Sequence, residues 1–287
     1  MGLCVSHGPI FFGELLVDEA VWKHVEEVVA AGDPDHYVAT FFAPAARRRA
    51  LLALYAFDHE VSRIGLSVRE PMAGHIRLAW WREQISAIYT NGPLVAPVPA
   101  ALSETVRAHA LPRELFDRYL DARGLDLEET PFDDEKAMAA HARAAGGAIV
   151  QLAVRVLSAG ERADVAAGHA GAATLYAGHL NDAAAFAARR RCRFPLSWLA
   201  DAGVNAEDFF ALRERSGALR PVFARLQALV RTELGALNRA RFPTTAMPGL
   251  AVATLARQAA IDPFSATAMP SWQRLARIAF ANLSWRV

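Results

Sequence analysis

The sequence predicts an all-α protein built as a single-domain helical bundle, on three observations. Apolar residues recur at helical spacing through nearly the whole 287-residue chain, whereas alternating runs of Val, Ile, Thr and aromatic residues are scarce. Hydrophobic residues make up 53% of the chain and charged ones 21%, enough to bury a sizeable core and too apolar for global disorder. No Ser/Gly-rich or strongly charged linker divides it, so residues 1–32, an N-terminal segment with the first helix, are expected to pack with residues 33–287 as one domain.

The first helix is expected over 14–31, ended by Gly32-Asp33-Pro34. A second runs over 45–66 behind Pro44, rich in the good helix formers Ala, Leu and Arg. Its neighbour spans 71–89 and stops at Asn91-Gly92-Pro93. Three prolines make 93–99 a loop, a helix follows over 100–109, and Pro112 opens the next. Long helices cover 133–158 and 161–188, and Pro195, Pro221, Pro243 and Pro248 punctuate the remainder. Gly146-Gly147 weakens its helix, which points to a kink or to close approach of a backbone or ligand; packing alone accounts for the pair equally well.

Charge and cysteine usage exclude several classes. With 31 Lys+Arg against 30 Asp+Glu the net charge is +1, so no overall field points to nucleic acid. Cys4 and Cys192 lie far apart without partners at metal-ligand spacing, which fits a reducing compartment. The longest apolar stretch, 146–157, is broken by Gln151 and Arg155 and falls short of the roughly 20 residues a membrane span needs. Residues 10–17 are apolar but lack a preceding basic region, so a cytoplasmic protein is expected, with peripheral contact at the inner membrane as an extension. The opening Met1-Gly2-Leu3-Cys4-Val5-Ser6 fits the myristoylation pattern, with Cys4 placed for a second acyl chain; an accidental match is the plainer reading.

Two segments carry a more specific signal. The first is DPDHYVATFFAPAARRRALLALYAFDHEVSRI over 33–64, followed by IRLAWWREQISAIY over 76–89; the second is GHLNDAAAFAARRRCRFP over 178–195. In order and spacing they resemble the squalene/phytoene synthase family, whose signatures read approximately ALYAFCRxxDDxxD and NxxRDxxEDxxxGRxYxP. The resemblance implies an isoprenoid-synthase-like bundle with a central cavity over residues 33–287. Active relatives condense two prenyl diphosphates head to head, using acidic motifs on facing helices to hold magnesium. Such chemistry needs the acids, because carboxylates must gather Mg²⁺ to neutralise the departing diphosphate. The rest of the cavity must be apolar and dry, since water quenches the carbocation.

The departures from the pattern set the functional expectation. Aligned through Tyr55-Ala56-Phe57, the three acids of the first motif fall on Ser62, Arg63 and Leu66. Asp58 and Glu60 are out of register, since adjacent helical positions differ by about 100°, and read best as ion-pair partners of nearby arginines. In the second motif Asp182 survives, while the next acids become Ala185 and Phe186. Arg191 matches the family arginine; Arg190 and Arg193 replace a glycine and a tyrosine, and a solvated helix end explains this basic cluster. A branch of the family that includes the mitochondrial assembly factor for respiratory complex I has similarly eroded motifs.

The resemblance therefore implies a noncatalytic protein that binds lipid or assists assembly of a respiratory complex, with an assembly client as partner and no cofactor. Its ligand residues would be Tyr55, Phe57, Ser62, Arg63, Asp182 and Arg191, and Arg63 with Arg190, Arg191 or Arg193 would hold a phosphate directly. The alternative is an active prenyltransferase acting on farnesyl or geranylgeranyl diphosphate with Mg²⁺ at Asp182. His141, His169 and His179 lack metal-ligand spacing and read as surface or core residues, Trp80-Trp81 as helix packing, and Arg47-Arg48-Arg49 as a solvated face. Over 272–285, Trp272, Leu275, Ala276, Ala279, Phe280 and Leu283 share one side opposite Gln273, Arg274, Arg277 and Ser284. That apolar side is expected to pack on the bundle; an anionic membrane or a partner is the other reading.

Overall fold

A computed structural model describes residues 18–130, 132–258 and 269–284. The proposed acylation at Gly2 and Cys4, the first residues of the 14–31 helix and Trp285 lie outside these described residues. All regular structure in them is helical.

Helix α1, Glu19–Gly32, is capped by the Asp18 carboxylate and buries Trp22, Val25 and Val29 on one face. The chain turns at Asp33, which accepts from the His36 backbone N–H and so starts α2, Pro34–Thr40, with its proline where no N–H is needed. Helix α3, Ala45–Ser62, is buried on all sides from Ala50 to Phe57, as befits the middle of a bundle. The 45–66 helix breaks at Arg63, and a short α4, Ile64–Ser67, resumes it. Helix α5, Pro71–Thr90, ends at Asn91 in the left-handed conformation (φ +54°). Helix α6, Pro97–His109, starts three residues before the expected position because Pro97 fits the first turn. Helix α7, Arg113–Gly124, follows Pro112 as expected and runs into a 3₁₀ turn, Leu125–Leu127.

The 133–158 prediction becomes α8, Glu135–Ala142, a π-helical turn, Arg143–Gly147, and α9, Ala148–Val156. The glycines sit in that turn, and the backbones of Gly146 and Gly171 touch: a Cβ on Gly146 would lie 2.2 Å from the Gly171 carbonyl oxygen. Close backbone approach is thus the reason for the glycine. After a 3₁₀ turn, Glu161–Ala163, α10, Asp164–Asn181, and α11, Ala183–Ala187, divide the 161–188 prediction at Asp182.

Helices α12, Leu196–Asp201, and α13, Ala206–Phe210, lead to α14, Leu212–Arg239. Pro221 lies inside α14 and does not end it, contrary to the sequence expectation. Both Pro221 and Gly217, whose carbonyl loses its helical partner, are exposed, so water can satisfy that carbonyl. Helix α15, Met247–Leu250, lies between 3₁₀ segments Thr244–Ala246 and Ala251–Arg257, and α16, Ser271–Ser284, is the last element described.

The apolar core has two parts. One gathers around α1, α3, α5, α6 and α7; the other around α10, α14 and 251–257, with α9 contributing side chains to both. Helix α16 corrects a second expectation: it packs through Ile278, Ala281 and Asn282, leaving Trp272, Leu275, Phe280 and Leu283 exposed. No helix among the described residues is long and apolar enough to cross a membrane.

Candidate functional site

Between the two parts of the core lies a cavity of about 260 Å³. Its apolar walls come from the π turn and α9 (Gly146, Ile149, Val150), from α10 and from 249–253. Its polar end collects side chains from the α1–α2 junction, the end of α3, the end of α7 and the α10–α11 junction. Residues of 33–64 and 178–195 therefore meet here, whereas 76–89 contributes none of the lining. Ser62, Arg63 and Leu66 line the cavity, as do Asp182 and Phe186.

Arg63 and Asp182 are both exposed at the rim. The protein crowded around the Asp182 carboxyl raises its pKa, opposed by the charge of Arg63. Deeper in, His36 Nδ1 lies 2.6 Å from the Asp33 carboxylate. Burial pushes Asp33 up, but the charge and hydrogen bonds of His36 outweigh it and hold the carboxyl below its usual value. Burial likewise works against a charged His36, and Asp33, helped by Asp58 and Asp35, raises its pKa nonetheless.

A second buried network braces the wall. The Arg123 guanidinium donates to Asp126 (3.0 Å) and lies 3.7 Å from Asp58, whose carboxylate also accepts from the Tyr119 hydroxyl. Asp126 further faces His141 (3.3 Å) and Arg193 (3.6 Å). Burial alone would raise Asp126, yet His141, Arg123 and Arg193 together hold it well below the carboxylate range. Asp58 does pair with an arginine, although one from α7 rather than from its own helix. His179 lines the cavity with its Nδ1 lacking a hydrogen-bond partner, and burial followed by repulsion from His141 holds its pKa well below the usual imidazole value.

The basic segment at 189–193 divides. Arg190 alone of the three substituted or matched arginines is exposed; it pairs with Glu129 and Glu207 and has φ +53°, the conformation that explains a glycine in the family pattern. Arg191 is buried and donates to the carbonyls of Gly65 and Arg69. Arg193 is fully buried, donates to the carbonyls of Leu125, Asp126 and Glu128 at 2.8–3.0 Å, and stacks over the Phe186 ring. The solvated helix end expected from the sequence is corrected for Arg191 and Arg193: their guanidinium groups tie loops together.

Tyr55 and Phe57 are also buried away from the cavity lining. Tyr55 lies against the His36 ring, and Phe57 packs with Trp81, Phe116 and Tyr119, so Trp81 is a packing residue as expected. Arg47, Arg48 and Arg49 are tied to His109, to the Phe41 and Ala43 carbonyls, and to Glu19. Sequence reasoning missed Asp33, His36, Arg123 and Asp126 at the site. Asp33 was visible only as a helix-ending residue, and the i,i+3 spacing of Arg123 and Asp126 was the one local hint of their pair.

Among the described residues no group of three or more His, Cys, Asp or Glu side chains comes together as a metal ion would require. Of the acids lining the cavity, Asp33, Asp58 and Asp126 are engaged by His36, Tyr119 and Arg123, and Asp182 stands at the rim beside Arg63.

The family model described as squalene/phytoene synthase matches residues 29–263. Among curated proteins, the chain is similar to NADH dehydrogenase (ubiquinone) complex I, assembly factor 6, of Mus musculus, at 27% identity over 184 residues, 64% of this chain and 55% of that protein. It is also similar to the phytoene synthase of Rhodobacter capsulatus, at 28% over 218 residues, 74% of this chain and 62% of that one. The chain thus spans 55–62% of the length of these relatives. Among solved structures, a dehydrosqualene synthase in complex with ligand aligns with TM-score 0.74 at 13% identity, covering 93% of this chain and 96% of that one. A squalene synthase from Alicyclobacillus acidocaldarius aligns with TM-score 0.66 at 20% identity, covering 92% and 94%. Those two show the isoprenoid synthase fold. With both signature segments meeting at one cavity and the family match running through most of its length, the chain belongs to the squalene/phytoene synthase family.

Proposed function

We propose that this chain is a noncatalytic family member that holds a lipid in the cavity and serves in the assembly of a respiratory complex. The observation that carries the reading is the cavity rim. Ser62, Arg63 and Leu66 stand where the first acidic motif would be, and Phe186 replaces an acid beside Asp182. A diphosphate leaving group needs its charge neutralised by metal held between several carboxylates. One rim carboxylate beside a guanidinium supplies too little. Arg63 is the cation at the rim suited to an anionic head group, and the apolar walls of the cavity suit a hydrocarbon chain. The similarity to complex I assembly factor 6 supports the assembly role.

Incubation of the purified chain with farnesyl or geranylgeranyl diphosphate and Mg²⁺, followed by product and pyrophosphate analysis, tests this directly. No turnover is expected, while native mass spectrometry should detect bound lipid that Arg63→Ala weakens. The similarity to phytoene synthase favours a second reading, an active head-to-head prenyltransferase. Turnover abolished by Asp182→Ala would establish that reading and overturn ours.

A further inference from the structure

The outward side of α16 has no role in the cavity. Its packing edge is held in two ways: Ile278, Ala281 and Asn282 are buried, and Arg274 forms an ion pair with Asp35 of α2. The Asn282 amide nitrogen also donates to the Ile278 carbonyl at 2.8 Å, while its Oδ1 is buried without a hydrogen-bond partner. The rotation of the helix about its axis is therefore fixed. That rotation turns Trp272, Leu275, Phe280 and Leu283 outward, at 48–74% exposure. They recur at intervals of three, five and three residues and so share one broad side of the helix. Large apolar side chains gathered on one exposed side mark an interaction surface rather than ordinary surface scatter.

Charge selects the occupant. Residues 271–284 contain Arg274 and Arg277 and no Asp or Glu. Arg274 is held inward by Asp35, which leaves Arg277 as the cation flanking the outer side, and an acid-free helix with Trp, Leu and Phe beside that arginine matches an anionic bilayer. The rings and aliphatic chains enter the boundary between headgroups and acyl chains, and the guanidinium flank meets lipid phosphate. Placement adds a second argument. Helix α16 packs on α2 and on 251–257, the elements that bring His36, Val252 and Ala253 to the cavity.

We propose that α16 is an interfacial docking helix that lays its Trp272, Leu275, Phe280 and Leu283 side on an anionic lipid bilayer, with the cavity-lining elements directly behind it. Docking of this kind does not require a cavity ligand and is independent of whether the protein turns over prenyl diphosphates.

The test is flotation of the full chain with vesicles of phosphatidylcholine and phosphatidylglycerol, against vesicles of phosphatidylcholine alone. Wild type is expected to float with the anionic vesicles and much less with the neutral ones. The triple variant Trp272→Ser, Leu275→Ser, Phe280→Ser changes only exposed side chains, so its thermal melt should match wild type while its vesicle-bound fraction falls roughly tenfold or more. Arg277→Glu should weaken binding to anionic vesicles only. Wild type that stays unbound to anionic vesicles, or a triple variant that floats like wild type, overturns the proposal. So does a wild-type dimer in light scattering that the triple variant dissociates, with no vesicle binding, because the face would then belong to a second copy of the chain.

Discussion

Replacing Arg193 by Met removes a guanidinium and keeps most of the side chain's apolar bulk. In the folded protein this group donates to three carbonyls of the 125–128 turn, lies 3.6 Å from the Asp126 carboxylate, and has no exposed side-chain surface. Water cannot replace those bonds without opening the loop. Losing one partner of a buried charged network costs about 3–5 kcal/mol, a large share of the ~5–15 kcal/mol that holds a typical protein folded. At ~2 °C per kcal/mol for a chain of this size, the melting temperature should fall by roughly 6–10 °C. Thermal unfolding followed by circular dichroism measures this, with Arg190→Met as the exposed control whose melt should stay within about 2 °C of wild type. A drop of less than ~2 °C for Arg193→Met, or an equal drop in both variants, would refute the claim that this arginine is a buried tie.

Two further perturbations test the site's surroundings. Gly146→Ala sets a Cβ against the Gly171 backbone and should destabilise by about 1–3 kcal/mol, whereas Gly168→Ala, with nothing within 4 Å of its Cβ, should stabilise α10 by up to ~1 kcal/mol; equal denaturant midpoints for the two would count against the backbone contact. The His36–Asp33 pair predicts a pH dependence. Because His36 has a folded pKa above 6.5, its contribution is full below that pH and disappears as the pH rises through the folded value. Asp33, held below 3.8, contributes above 3.8 and loses its contribution as the pH falls through its folded value. The stability gap between wild type and His36→Asn should therefore shrink as the pH is raised from 6.5, and a gap that stays constant would remove the charge interaction from the account.

Much of the architecture is local and could be read from neighbouring residues. Gly32-Asp33-Pro34 marks the end of the first helix, Pro71 opens α5 and Asn91 closes it, and the two signature segments carry the family, whereas Pro97 opens a helix where three prolines suggested a loop. Gly146-Gly147 announced an irregularity, though not that Gly171 would be the backbone pressed against it. Pro221 was misleading: α14 continues through it, with the carbonyl it leaves unpaired at Gly217 open to water.

By itself, the sequence determined that the chain is helical and that its two signature segments follow the family order, with Ser62, Arg63, Leu66, Ala185 and Phe186 at positions where the resemblance would put acids. Only the tertiary structure decided where each remaining charge points. Arg63 and Asp182 reach the cavity rim, whereas Arg193 is spent on carbonyls 65–68 positions away in the chain and Arg191 on Gly65, 126 positions away. It also decided which side of α16 is inward, through Ile278 and an ion pair spanning 239 positions. The physical reason is common to all of these. Periodicity and capping involve residues within one or two turns, but the burial of a guanidinium or an amphipathic face depends on which distant backbone arrives to meet it.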